Sequence, residues 1–75
     1  MNGFTRITAD EERELRNGFL PLTLPDHIKN DLNYTRSYIL HEQDGKLFIE
    51  PIEEGELSGI ELDELSRNKD WVRLR

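Results

Sequence analysis

The sequence predicts a small α+β fold: an antiparallel sheet built on a β-hairpin over residues 38–50, with short helices packed against it. Three observations carry this expectation. Asp44-Gly45 stands between two apolar-rich runs, Tyr38-Ile39-Leu40-His41-Glu42-Gln43 and Lys46-Leu47-Phe48-Ile49-Glu50, and Asp-Gly suits the positive-φ backbone of a two-residue hairpin turn. Thr8 with Glu11, and Ser58 with Glu61, have the spacing of a helix-capping box. Finally, 75 residues without cysteine leave room for one core and no disulfide framework. So small a core is marginal, and a partner or a second copy is expected to add to its stability.

In chain order, Phe4-Thr5-Arg6-Ile7 alternates as a short strand. A helix is predicted from Ala9 to about Arg16, with Asp10, Glu11 and Glu12 in its first turn and Arg16 in its last, as the helix dipole favours. Asn17-Gly18 then serves either as the helix stop or as a hairpin turn after an irregular strand. Phe19 to Pro25 is apolar but twice interrupted by proline, which restricts it to an edge strand or an extended arm. From Asp26, Ile28 and Leu32 share one face of a helix of about two turns. Pro51 ends the hairpin, and Glu53-Glu54-Gly55-Glu56 reads as a solvated linker. Leu57, Ile60, Leu62 and Leu65 suggest a short amphipathic helix ending near Ser66. Asp70 to Arg75 is either a last strand or a free tail with a tryptophan anchor. The expected organisation is a small α+β domain over residues 1–52, then an acidic helical segment and Trp-containing tail over residues 53–75, docked on the domain or bound to a partner.

The net charge is −6, and it is unevenly placed: residues 1–36 carry five basic and six acidic side chains, residues 37–75 five and ten. An acidic surface opposes general phosphate-backbone binding, and the second half suits a basic protein partner. Met1 to Ile7 holds no long apolar run, and no stretch approaches the roughly 20 apolar residues that span a bilayer. A cytoplasmic setting without membrane contact is expected. Catalysis has little support. His27 and His41 belong to no recognisable constellation, and the chain contains no Gly-rich phosphate loop, metalloprotease helix motif or nucleophile elbow. The acidic run Glu50 to Glu56 lacks the alternating ligand spacing of a calcium loop. No cofactor is expected.

Taken together, Asn17-Gly18, Leu24-Pro25, Ile28, Leu32 and the run from Asp44 to Pro51 resemble the AbrB/MazE family of swapped-hairpin transcription regulators and antitoxins, over roughly residues 17–52. Phe19 stands where that family commonly places an arginine, and Asn33 to Ser37 replaces its usual Gly-Asp. The resemblance implies an intertwined homodimer burying Leu22, Leu24, Ile28, Leu32, Ile39, Leu47 and Ile49. It also implies an acidic C-terminal segment that lies along a toxin.

The function expected is therefore non-enzymatic macromolecule binding: an antitoxin-like or AbrB-like regulator whose acidic C-terminal segment neutralises a partner protein. The alternative is an acidic inhibitor or accessory protein, for example phage-derived, that occupies a basic nucleic-acid site on a host or defence enzyme. In either case Leu57, Ile60, Leu62, Leu65 and Trp71 are the candidate apolar anchors, and Glu61, Asp63, Glu64 and Asp70 the candidate rim charges, in keeping with the way anchors give affinity and charges speed encounter. Trp71 could equally plug the core. Arg6, Arg13 and Arg16 are the candidates for any weak DNA contact.

Overall fold

The computed structural model describes residues 4–74. Its elements run β1 (Thr5–Ile7), α1 (Ala9–Arg16), α2 (Asp26–Thr35), β2 (Ser37–Gln43), β3 (Lys46–Pro51), α3 (Gly59–Ser66) and β4 (Trp71–Arg73), with a 3-10 turn at Glu54–Glu56 ahead of α3. The strands form one antiparallel sheet in the order β1-β3-β2-β4. The fold is α+β, with the predicted hairpin at its centre and the first and last strands at its edges.

The hairpin closes because Asp44 and Gly45 both take positive φ, 55° and 76°, the backbone a two-residue turn needs to match the strand twist. Gln43 then pairs with Lys46, and the register sets Leu40 opposite Ile49 and His41 opposite Phe48. Pro51 belongs to β3. The bonds from β3 to β2 come from its even-numbered residues, as the Ile52 N–H to Ser37 carbonyl bond of 3.0 Å shows, so the missing N–H of Pro51 costs that pairing nothing.

Residues 9–16 are helical, and both bonds of the capping box are made: Thr8 N–H to Glu11 Oε1 at 2.8 Å and Glu11 N–H to Thr8 Oγ1 at 3.1 Å. Asn17-Gly18 is the stop, with Gly18 at φ 90°. The Phe19 to Pro25 segment is an irregular arm rather than a strand. It buries Pro21 and Leu24 and leaves Phe19 and Leu22 exposed. α2 runs three residues past Leu32, since neither glycine nor proline interrupts Asn33-Tyr34-Thr35. Arg36 ends it in the left-handed conformation at φ 57°.

The core lies on one face of the sheet, where Ile7, Tyr38, Leu40 and Ile49 meet Leu15 of α1 and Ile28 and Leu32 of α2. Leu24, Ile28, Leu32 and Ile49 are thus buried within a single chain, Ile39 and Leu47 are half-buried, and Leu22 is 87% exposed. Residues beyond 52 return to the sheet. Leu40 N–H bonds the Asp70 carbonyl at 3.0 Å and Leu74 N–H the Arg36 carbonyl at 2.7 Å, which adds β4 alongside β2. The stretch expected to be a solvated linker forms the 3-10 turn, and Glu54 there clamps Arg73 through two bonds of 3.2 and 2.7 Å. Among the described residues no helix is long and apolar enough to cross a membrane.

Candidate protein-binding face

Strand alternation sends Tyr38 and Leu40 into the core and Ile39, His41 and Gln43 to the opposite, outer face of the sheet, together with Phe48, Glu50 and Arg6 of the neighbouring strands and Trp71 and Arg73 of β4. α3 covers part of this outer face. Its Ser58 cap repeats the reciprocal pattern of α1, with Glu61 N–H to Ser58 Oγ at 3.2 Å and Ser58 N–H to Glu61 Oε1 at 3.0 Å. The cap fixes the entry of the helix, and Leu65 is then buried against the outer face, apart from the main core.

Between α3 and the sheet runs a groove of about 400 Å3 lined by Ile39, Ile52, Leu57, Leu65, Glu61, Glu64 and Asn68. The four aliphatic side chains are its apolar part, and the two carboxylates and the amide its polar part. Glu61 is held below the usual carboxylate range by the Ser58 N–H and hydroxyl that bond it. Glu54 is likewise lowered, first by the Arg73 guanidinium, against partial burial, with Ser37 adding a smaller contribution. Both carboxylates therefore hold their charge to a lower pH than an unpaired glutamate.

Of the residues singled out from sequence, Leu57, Glu61, Glu64 and Leu65 converge on this groove. Leu62 is half-buried outside its lining, Ile60 is 75% exposed, and Asp63 is exposed and paired with Arg67 at 2.8 Å. Asp70 lines a separate depression with Glu12, Arg16 and Glu42. Trp71 lies outside the core cluster, in β4 rather than on a free tail. It lies half-buried beside Ile39, with the Arg73 guanidinium 4.5 Å from its ring centre and its buried indole N–H without a partner among the described residues. The three arginines do not meet. Arg6 is on the outer face, while Arg13 and Arg16 sit on α1, each 3.2 Å from a carboxylate of the same helix, Asp10 and Glu12.

Sequence reasoning missed the groove's other wall, Ile39 and Ile52, although Ile39 carried a signal. It alternates with Tyr38 and Leu40 yet is itself apolar, the mark of a strand covered on both faces. A second hollow of about 300 Å3 was also missed, lined by Phe4, His41, Glu42, Gln43 and Phe48. In it Phe4 stands edge-on to His41 at 4.5 Å, and His41 Nε2 lies 3.0 Å from Glu50 Oε1. Among the described residues no three His, Asp or Glu side chains are grouped to hold a metal ion. No family model, curated protein or solved structure matches this chain.

Proposed function

We propose that this chain is a non-enzymatic binding protein that docks a basic protein through the carboxylate-flanked groove between α3 and the sheet. The observation that carries the proposal is the convergence of Leu57, Leu65, Glu61 and Glu64 on one hollow. Apolar side chains there accept an anchor, and the carboxylates select a partner with Lys or Arg around that anchor. The carboxylates stand on a folded helix joined to the sheet by β4, which favours an acidic inhibitor or accessory protein occupying a basic site, such as a nucleic-acid-binding cleft of an enzyme. An AbrB/MazE-like antitoxin is the second reading, and it draws on the same acidic segment and on the resemblance over residues 17–52.

The test is capture of binding proteins from a cell extract on the immobilised full-length chain, compared with a Glu61→Gln/Glu64→Gln variant. Glutamine also serves at the third position of a capping box, so the helix is retained while two charges are removed. A basic protein held by the wild type should bind the variant roughly tenfold more weakly, with less dependence on salt. Equal retention by both forms would reject the groove as the docking surface.

A further inference from the structure

The two edges of the sheet differ. At β4, the Trp71 N–H turns back to the Asn68 carbonyl at 3.1 Å and the Arg73 side chain is clamped by Glu54. At β1 no strand is paired to the outer edge among the described residues. The hairpin register directs the backbone groups of Leu47 and Ile49 toward β1, where they meet Ile7 and Thr5. The N–H and C=O of Arg6 consequently point away from the sheet, and the same alternation turns those of Phe4 outward. Such an edge is a template for another strand.

We propose that a second copy of this chain occupies the edge, β1 against β1 across a two-fold axis, to give a continuous eight-stranded antiparallel sheet. Symmetry and the outward bonding groups leave two close registers. One sets Arg6 opposite its own copy, with like charges face to face, which is unfavourable. The other sets Arg6 opposite Phe4 of the second copy and Thr5 opposite Thr5.

The second register is complementary on the outer face. Arg6 lies opposite Phe48 within its own chain, and one alternation further Phe4 lies toward Glu50. Across the junction the row then reads Glu50, Phe4 and the second copy's Arg6, so that one guanidinium covers a ring that is 41% exposed in the single chain and reaches the carboxylate behind it. Arg6 has no carboxylate partner among the described residues, and Glu50, whose Oε1 lies 3.0 Å from His41 Nε2, is shared between that imidazole and the second copy's guanidinium. This is an edge-to-edge pair, distinct from an intertwined dimer, and it leaves the α3 groove of both copies open.

The experiment is sedimentation or light scattering of the full-length chain over a dilution series, with cross-linking to read the register. The mass should rise toward twice the 8.9 kDa monomer with concentration. Arg6→Pro removes the outward N–H together with the guanidinium and spares the Thr5 and Ile7 groups that face β3, which an edge strand tolerates, and should remain monomeric with an unchanged far-ultraviolet spectrum. Arg6→Glu should weaken association at least roughly tenfold, and Arg6→Glu/Glu50→Arg should restore it, whatever the fate of the proline variant. The chain has no cysteine of its own. Thr5→Cys should therefore cross-link two chains under mild oxidation, since opposed residues in a non-bonded pair stand about 4.5 Å apart at Cα, within disulfide reach. A wild type that stays monomeric throughout, a dimer indifferent to Arg6→Pro, or cross-linking by Arg6→Cys in place of Thr5→Cys would each overturn the proposal.

Discussion

Glu11 is a carboxylate only 8% exposed, and its surroundings explain why it is tolerated there. Burial alone raises its pKa, but the Thr23 hydroxyl together with the Thr8 backbone and side chain outweigh that and hold it below the usual carboxylate range. The group thus fastens α1 and the Phe19 to Pro25 arm to each other. Because its folded pKa is depressed, Glu11 contributes stability that is present above the carboxylate range and lost as pH falls through its folded value. Thr23→Val keeps the shape and removes the hydroxyl donor. It should cost about 1.5–3 kcal/mol at neutral pH, the range for a hydrogen bond to a charged group. The difference from wild type should shrink toward zero in acid, where both forms bind the proton, and urea denaturation at the two pH values measures it. A cost independent of pH would assign the effect to packing.

Among the elements, α3 depends most on its cap. It has eight residues, too few to persist on helix propensity, and of its side chains only Leu65 is buried. The reciprocal Ser58 and Glu61 bonds satisfy two N–H groups at its start and aim Leu65 at the outer face. Ser58→Ala should lower stability by about 1 kcal/mol, measured as a shift in the thermal midpoint. It should also raise hydrogen exchange in residues 59–66 above that of the hairpin, because the loss is local. The two capping boxes and the Asp44-Gly45 turn were legible in the sequence for one shared reason: each is a bond pattern closed within about four residues. The end of α2 was less legible, because Arg36 in a left-handed conformation is a rare choice at a helix stop, stabilised here by the partners its neighbours find in β2 and β4.

On the scale of the whole molecule, the strand order places chain-terminal segments at both edges of the sheet, with the hairpin between them. Removing residues 53–75 leaves a three-stranded sheet with its β2 edge uncovered and takes away Leu65 from the outer face and Val72 and Leu74 from the core of an already small domain. A chain ending at residue 52 should therefore lose cooperative unfolding and dispersed amide signals. Full-length protein should resist trypsin at Arg67 and Lys69 when the protein is folded. Rapid cleavage there, with a stable remainder of residues 1–52, would instead divide the molecule at residue 52.

From the sequence alone came the class of fold, the hairpin and its turn, the capped starts of α1 and α3, and the acidic character of the second half. These depend on neighbours a few residues apart, or on composition, and need no knowledge of the remaining chain. Tertiary structure decided that β1 joins β3 and β4 joins β2, that Ile39 and Ile52 complete a groove with Leu57 and Leu65, that Trp71 lies half-buried under Arg73, and that Arg6 is parted from Arg13 and Arg16 by the sheet. The reason is that three-residue strands carry too little pattern to choose a partner. Their places follow from which sheet edge and which apolar face remain uncovered once the hairpin and the helices have packed.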